Sequence, residues 1–199
     1  MWGGILRIAV LFAAVFLTGM VVKGMDDLLD SSWDLAKGKR TVAGSYGYSL
    51  VPYLMVFLAI AAWLAPKISL SLFLASYAVG MFFDSRQKMA SGLQGYQETV
   101  IIILLGSLFF GWLEMLSSLS IILLVQVLDD LQDFRKENPT GHKNWARKFG
   151  VVETILFAII LFSLSLALAT EKTLLVLVAT PLVKRCLEIP LKEEKQDAC

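Results

Sequence analysis

Two short acidic segments of the chain have the same spacing. The acids are Asp26, Asp27, Asp30 and Asp34 in the first segment, and Asp129, Asp130, Asp133 and Glu137 in the second. Both segments follow the pattern acid-acid-x-x-acid-x-x-x-acid, and they lie 103 positions apart. Because helical residues four apart share a face, the first, third and fourth acids of each segment are predicted to form a row of carboxylates.

Such rows of like charge are unfavourable unless a cation lies between them. Neighbouring carboxylates repel one another, and charges at the end of an apolar span cost further free energy. Mg2+ suits these rows because it prefers a few carboxylate oxygens, several waters and the oxygens of a phosphorylated substrate. The acids of both segments are therefore candidate ligands for two or more Mg2+ ions, with Asp30 and Asp133 as the candidate catalytic residues.

Basic residues accompany each acidic segment. They are Lys37, Lys39 and Arg40 after the first, and Arg135, Lys136, Lys143, Arg147 and Lys148 around the second. Metal ions and cations together imply a polyphosphate anion, and all of these residues except the last two are candidate diphosphate ligands. The alternative is that the charges only solvate loops and anchor helices to lipid headgroups. The repeated spacing favours the metal site, because anchoring does not require it.

Other classes of site have little support in the sequence. Neither acidic segment has the alternating oxygen ligands and central glycine of a calcium-binding loop, and no P-loop or dinucleotide fingerprint occurs. No sustained basic face predicts nucleic-acid binding. Only two cysteines occur, Cys186 and Cys199, so neither a disulfide framework nor a thiolate metal site is expected.

The elements that position the acidic segments are long apolar runs. The 199-residue chain is 57% hydrophobic and its mean hydropathy is +0.68. These values indicate an integral membrane protein, an all-α polytopic bundle that forms a single transmembrane domain. About seven spans are predicted, near residues 5–22, 48–65, 68–83, 99–112, 114–128, 151–169 and 173–190, with Asp-rich loops at 24–45 and 129–149.

The run from residue 99 to residue 128 decides the topology. Only Glu114 is charged in it, and as one helix it would be about 45 Å long, against a hydrocarbon core of about 30 Å. If it divides near Gly111 to Glu114, both acidic segments face one side, together with fifteen of the eighteen Lys and Arg residues. The positive-inside rule then predicts that this side is cytoplasmic and that the N-terminus is outside. A single long helix would separate the two segments.

The acidic segments resemble the two motifs of the UbiA superfamily of intramembrane prenyltransferases, commonly written N-D-x-x-D-x-x-x-D and D-x-x-x-D. By position, Asp26 takes the place of the frequent Asn, Asp30 and Asp34 match the first motif, Asp129 and Asp133 match the second, and Asp27, Asp130 and Glu137 fit extended forms. Residues 39–44 and 141–143 are looser counterparts of the basic stretches that follow these motifs. The order of elements agrees too, with four predicted spans between the motifs. Family members typically have nine spans, and this sequence is expected to lack the first and the last.

This resemblance implies a Mg2+-dependent enzyme that ionises an isoprenoid diphosphate at the cytoplasmic face of the membrane. A prenyltransferase would pass the prenyl group to an aromatic or lipid acceptor, whose identity is unknown. Two alternatives stay open: a terpene cyclase that ionises the same substrate without an acceptor, and a non-catalytic protein that binds prenyl lipids. In each case the partners are isoprenoid compounds and the lipid bilayer, with no nucleic acid.

Several other side chains are candidates for lesser roles. Aromatic residues near the predicted cytoplasmic ends are expected to form an interfacial belt, with stabilisation of a carbocation as the alternative. They are Tyr46, Tyr48, Tyr53, Phe82, Phe83 and Tyr96. Glu153 and Gln126 lie about one turn from the second motif and are candidates for contact with metal or acceptor. Glu114 is expected to be solvated, and His142 to be an exposed loop residue.

Overall fold

A computed structural model describes residues 2–29, 31, 42–83, 88–89, 91–134 and 144–193. Within these residues the regular secondary structure is helical, which confirms the predicted all-α class. A 3-10 turn, Gly47–Leu50, separates the second helix from the third. The α-helices are α1 (Trp2–Leu29), α2 (Val42–Tyr46), α3 (Val51–Leu64), α4 (Pro66–Phe83), α5 (Gly95–Phe110), α6 (Trp112–Asp133), α7 (Trp145–Phe149) and α8 (Val151–Glu193).

Four segments of the described chain are long and apolar enough to cross a bilayer. They are Gly3–Leu29, Gly44–Leu64, Trp112–Gln132 and Val151–Leu187. Two shorter apolar helices, Pro66–Phe82 and Gly95–Phe110, fall below that length. Large apolar side chains such as Leu108 and Trp63 are exposed along these helices, as expected where the surroundings are lipid. The helices are compatible with a membrane protein, and seven spans with an outside N-terminus remain predictions.

The apolar run at residues 99–128 divides at a glycine. Helix α5 ends at Phe110, and α6 begins at Trp112. Gly111 between them has a φ of +95° and a ψ of 145°, a conformation that only glycine adopts without strain. The two helices pack closely, because a Cβ atom on Gly106 would lie 2.7 Å from the sulfur of Met115. The predicted break of this run into two helices is confirmed.

An extended alanine turns the chain between α3 and α4. Ala65 has a φ of −151° and a ψ of 75°, which interrupts the helical hydrogen-bond ladder. The hydroxyl of Ser69 reaches back across the turn and donates a hydrogen bond to the carbonyl of Ala61 at 2.9 Å. The same carbonyl accepts the backbone N–H of Ala65 at 3.0 Å, so Ala61 is bonded to both sides of the corner.

The same corner occurs inside α8. Ala169 has a φ of −156° and a ψ of 74°, so α8 consists of two helices joined at a kink. The hydroxyl of Thr173 donates a hydrogen bond to the carbonyl of Ser165 at 3.0 Å, again eight residues back. This kink lies at the end of the predicted span at 151–169, which supports dividing the long apolar stretch there.

Two compact units make up the chain, each with its own packing. The first comprises Met1–Phe73 with Leu174–Cys199, and the second comprises Leu74–Thr173. In the first unit α1 packs against α3, and a Cβ on Gly24 would lie 2.8 Å from a methyl group of Leu54. In the second unit the largest fully buried side chains belong to α6: Met115, Ile121, Leu124 and Val127. Each acidic motif therefore ends a helix that is packed within a different unit.

Candidate metal and diphosphate site

The structure describes four of the predicted acidic side chains: Asp26, Asp27, Asp129 and Asp130. Asp133 ends α6, and its side chain is outside the described part of the molecule. The other predicted ligands of metal and diphosphate also lie outside the described residues. They are Asp30, Asp34, Glu137, Lys37, Lys39, Arg40, Arg135, Lys136 and Lys143.

The first acidic motif begins in the last turn of α1, where a lysine contacts two of its carboxylates. The ammonium nitrogen of Lys23 lies 2.8 Å from Oδ1 of Asp27 and 3.3 Å from Oδ2 of Asp26. Helical periodicity produces this contact, because residues three and four positions apart are neighbours on the helix surface. The side chain of Asp27 is 14% exposed and that of Asp26 is 62% exposed, so the pair lies at the edge of the packed helix.

The contact with Lys23 shows that two carboxylates at this end of α1 approach the same cation. One cationic nitrogen approaches an oxygen of each carboxylate, so Asp26 and Asp27 can hold a single cation between them. Carboxylate oxygens are the donors that Mg2+ prefers. The two residues therefore fit a magnesium site in donor chemistry, and the metal site itself stays a prediction. Lys23 was not among the predicted site residues, although its spacing of three and four residues from Asp26 and Asp27 could have indicated the contact.

The second acidic motif begins in the last turn of α6 and is bonded to the start of α7. The backbone N–H of Trp145 donates to Oδ2 of Asp130 at 2.9 Å. The side-chain amide of Asn144 donates to the carbonyl of Asp130 at 2.7 Å, and its oxygen accepts a hydrogen bond from the N–H of Arg147. Asn144 thus caps α7 and connects the start of α7 to the last turn of α6.

These bonds give Asp130 a structural role in addition to its predicted one. Asp130 uses a carboxylate oxygen to hold the backbone of Trp145. Asp129 lies about 100° away around the helix and shares a face with Asp133, four residues later. The predicted metal ligands Asp129, Asp130 and Asp133 stay predictions, and the bond to Trp145 gives Asp130 a role in positioning the start of α7.

Each acidic motif is followed by a five-residue helix and then by a glycine with positive φ, at the same spacing. Helix α2 begins at Val42 and α7 begins at Trp145, 103 residues later. Gly47 and Gly150 follow these short helices, again 103 residues apart, with φ values of +53° and +102°. The structure thus extends the acidic repeat into the backbone that follows each motif, and the alanine corners come after it.

Besides its positive φ, Gly150 has a close contact with a neighbouring side chain. A Cβ atom at this position would collide with the carboxylate of Glu153, which folds back over the glycine at the start of α8. The hydroxyl of Thr154 donates to the carbonyl of Gly150 at 2.6 Å. Glu153 is exposed, and its predicted contact with metal or acceptor stays a prediction, as does that of the half-buried Gln126. His142 lies outside the described residues.

Aromatic side chains lie in and near the short helices that follow the two motifs. In the second unit the ring of Trp145 stacks on Phe157 with centroids 5.4 Å apart, and the ammonium of Lys148 lies 5.2 Å from the ring centre of Phe149. In the first unit a groove of about 310 Å³ is lined by Val42, Tyr46, Ser49, Leu50 and Tyr53. The described members of the predicted belt are exposed: Tyr46, Tyr48, Tyr53, Phe82 and Tyr96.

At the end of α6 opposite the second motif, a buried lysine pairs with Glu114. Lys172 is 4% exposed, and its ammonium lies 2.6 Å from Oε1 of Glu114. The same ammonium donates to the hydroxyls of Ser117 and Ser118. The expectation that Glu114 is solvated is wrong, because its side chain is 17% exposed and is held by this ion pair. The partner is 58 residues away in sequence, which is why charge spacing gave no signal.

A second carboxylate organises the turn before α5. Glu98 accepts hydrogen bonds from the hydroxyls of Ser91 and Tyr77. The Ser91 bond, followed by the Tyr77 bond, lowers the pKa of Glu98 below its ordinary value. Gln94 and Gln97 add a reciprocal capping box at the start of α5. These contacts stabilise a short turn and involve none of the described residues of the acidic motifs.

In the part of the chain that the structure describes, no three His, Cys, Asp or Glu side chains form a group able to hold a metal ion. The proposed ligand set includes acids beyond that part, so the described pair at Asp26 and Asp27 is one portion of it. Comparison of the chain with protein-family models, with curated proteins and with solved structures finds no match.

Proposed function

We propose that this chain is an intramembrane, Mg2+-dependent prenyltransferase that ionises an isoprenoid diphosphate and transfers the prenyl group to an aromatic or lipid acceptor. The observation that supports it most directly is the repeated motif at a helix end. Each copy places adjacent aspartates in the last turn of an apolar helix and is followed by a short helix and a glycine with positive φ. A pattern that recurs in both sequence and backbone favours a shared chemical role over two unrelated charge clusters.

The ligands in this proposal are the carboxylates of both motifs. Mg2+ held there would neutralise the charge that develops on a leaving diphosphate. Asp26 and Asp27 contribute the oxygens that already hold the ammonium of Lys23, and Asp129 contributes with Asp133 from one face of α6. Asp130 acts differently, because it fixes the segment that carries the basic residues Arg147 and Lys148.

Basic side chains after the motifs give the diphosphate further partners in this proposal. Lys37, Lys39 and Arg40 follow the first motif, and Arg135, Lys136 and Lys143 follow the second. Charge-assisted hydrogen bonds from such groups are short and strong, and they orient phosphate oxygens. The apolar helices supply a dry environment for the isoprenoid, which protects a carbocation from water.

The resemblance of the motifs to those of UbiA-type prenyltransferases points to the same chemistry. It rests on the acid spacing, and it is the reason for choosing an isoprenoid diphosphate among possible polyphosphates. A membrane-embedded site also favours this class, because the substrate's long apolar tail partitions into the bilayer.

The direct test is release of diphosphate by the purified protein in liposomes. With Mg2+, a mixture of phenolic and lipid acceptors, and geranyl, farnesyl or geranylgeranyl diphosphate, we expect release that EDTA abolishes. Asp30→Ala and Asp133→Ala are expected to remove it. Lys67→Gln, which changes an exposed charge on α4, is the matched control and should retain it. No release from any of the three substrates would refute an ionising enzyme and leave the prenyl-lipid-binding alternative.

Product analysis separates the two enzymatic alternatives. With phenolic or lipid acceptors added, a prenyltransferase gives a prenylated acceptor, and diphosphate release depends on the acceptor. A terpene cyclase gives a cyclic hydrocarbon or alcohol at the same rate without any acceptor. Exclusive formation of the cyclic product would replace the transferase assignment with a cyclase and keep the same metal site.

A further inference from the structure

A groove of about 310 Å³ in the first unit lies where α2, the 3-10 turn and α3 follow one another. Its described lining residues are Val42, Tyr46, Ser49, Leu50 and Tyr53. An apolar cavity of about 150 Å³ is enough to hold one benzene ring. The groove therefore has room for an aromatic ring with substituents, and a ligand can reach it past the exposed side chains of Tyr46 and Tyr53.

The short helix that follows the second acidic motif begins with an aromatic ring. Helices α2 and α7 both have five residues and begin 103 positions apart, so Trp145 corresponds to Val42. By the same count Phe149 corresponds to Tyr46. The indole of Trp145 lies 5.3 Å from the ring of Phe149 and stacks on Phe157, with an angle of 4° between the two planes. This arrangement of the backbone therefore accommodates a planar ring at its first position.

The first unit keeps the flanking ring at this place and has a smaller residue at the first position. Tyr46 takes the place of Phe149, whereas Val42 takes the place of Trp145. An indole is much larger than the isopropyl group of valine, and Val42 and Tyr46 both line the groove. The groove is therefore a space beside Val42 that a ring from another molecule can fill.

The hydroxyl groups along the groove favour a ring that carries a polar substituent. Tyr46 and Tyr53 bring phenolic hydroxyls to its lining, and the hydroxyl of Ser49 donates a hydrogen bond to the carbonyl of Tyr46. A phenol can stack on tyrosine rings and exchange hydrogen bonds with their hydroxyls. A saturated lipid chain makes only apolar contacts, so the lining suits a hydroxylated aromatic compound better.

The groove lies beside the end of α1 that carries the first acidic motif. Leu54 follows Tyr53 on α3, and it packs so closely on α1 that a Cβ on Gly24 would lie 2.8 Å from its methyl group. Gly24 precedes Asp26 by two residues, which is about 3 Å along the helix axis. Helix α2 and the 3-10 turn also pack against α1. A molecule in the groove would therefore lie near the carboxylates of this motif.

We propose that this groove binds a hydroxylated aromatic compound, whose ring takes the place beside Val42 that the indole of Trp145 takes in the second unit. Under the proposed function this compound is the prenyl acceptor, and that part of the inference rests on the proposed function. The inference selects an aromatic acceptor over a lipid and gives it a position next to the first motif.

The test is photoaffinity labelling of the purified protein in nanodiscs with 4-azidophenol, followed by mass spectrometry of the labelled peptides. We expect labelling to concentrate in residues 42–53 and to be suppressed by 2-naphthol, whose ring system is close to indole in size. Val42→Trp fills the groove with the residue of the second unit and should reduce this labelling by about tenfold or more. Val56→Trp, the same change at an exposed position of α3, is the control and should leave labelling unchanged.

A second variant decides the question if thermal unfolding shows that Val42→Trp does not fold. Tyr46→Leu removes the flanking ring at an exposed position, and it is expected to weaken competition by 2-naphthol by about threefold to tenfold. Tyr46→Phe copies Phe149 of the second unit, so it should keep most of the affinity. Equal competition in the leucine and phenylalanine variants would overturn the inference.

The remaining outcomes separate this inference from the proposed function. Labelling spread evenly over exposed side chains such as Tyr48, and unaltered by Val42→Trp, would refute the aromatic site whether or not the protein releases diphosphate. Competition by geranylgeranyl diphosphate but not by 2-naphthol would assign the groove to the isoprenoid chain and overturn the inference. Specific labelling of a protein that releases no diphosphate would uphold the aromatic site and refute its role in prenyl transfer.

Discussion

The backbone N–H of Trp145 donates a hydrogen bond to the carboxylate of Asp130, 15 residues earlier, at 2.9 Å. The bond joins the end of α6 to the start of α7, and Asn144 reinforces it with its own bond to the Asp130 carbonyl. A carboxylate that accepts a backbone N–H forms a charge-assisted hydrogen bond, which is stronger than a neutral one. Asp130 therefore connects the second acidic motif to the segment that follows it.

Substitution of Asp130 is expected to affect folding more than metal binding. Asp130→Ala removes the acceptor of a part-buried N–H, at an expected cost of about 1–3 kcal/mol. Asp129→Ala is the matched variant one position away, and it is expected to weaken Mn2+ binding with a smaller loss of stability. Thermal unfolding and Mn2+ titration of both variants check this division. An Asp130 variant of normal stability that has lost metal binding would contradict it.

Loss of the Lys172 ammonium is expected to destabilise the second unit strongly. Lys172→Met leaves the largely buried Glu114 carboxylate without its cation, which costs about 3–5 kcal/mol in comparable buried pairs. The double variant Lys172→Met with Glu114→Leu is expected to recover most of this stability, because an apolar pair needs no desolvation of charge. Denaturation of the single and double variants in detergent measures the difference. A single variant as stable as the wild type would show that the ion pair is unimportant.

Alanine at Gly111 is expected to destabilise the turn between α5 and α6. The φ of +95° and ψ of 145° cost about 1–3 kcal/mol for a residue with a side chain. Gly80→Ala is the control, because Gly80 is helical and a Cβ there meets no atom within 4 Å, so a small gain is expected. Thermal unfolding should shift in opposite directions for the two variants, and equal shifts would argue against a strained turn.

Protonation of Glu98 is expected to loosen the turn before α5. Hydrogen bonds from Ser91 and Tyr77 hold the pKa of Glu98 below its ordinary value, which is 4.5. A carboxyl group with a lowered folded-state pKa contributes stability above its unfolded pKa, and this contribution is lost as the pH falls through the folded value. The loss of melting temperature between pH 7 and pH 3 should be smaller for Glu98→Gln than for the wild type. An identical loss in both proteins would show that this carboxylate does not contribute.

Much of the helical framework follows from local sequence. Uninterrupted apolar residues predict the long helices, and helical periodicity predicts that acids four positions apart share a face. A break near Gly111 to Glu114 was predicted because a helix of thirty residues with a single charge exceeds the thickness of a bilayer, and the structure places the turn at Gly111. The predicted spans also end at residues 65 and 169, where the structure has the corners at Ala65 and Ala169. Pro66 disfavours a helical conformation at Ala65, although alanine itself is a strong helix former.

The contacts of the charged residues could be predicted only in part. Lys23 meets Asp26 and Asp27 within one helix, so its contact was available from spacing alone. The contact between Glu114 and Lys172 could not be predicted in this way, because a glutamate in an apolar run is equally compatible with a solvated position at a turn. Only the packed helices reveal its partner.

The sequence by itself determined the helical class, the acidic repeat and a division near Gly111 to Glu114, because each can be recognised from residue types and spacings within short stretches of the chain. The tertiary structure alone decided that Asp130 holds the start of α7 and that Lys172 neutralises Glu114. Those pairings depend on which helix faces meet. Apolar runs of nearly uniform hydrophobicity leave that choice to side-chain packing and to the need to pair buried charges.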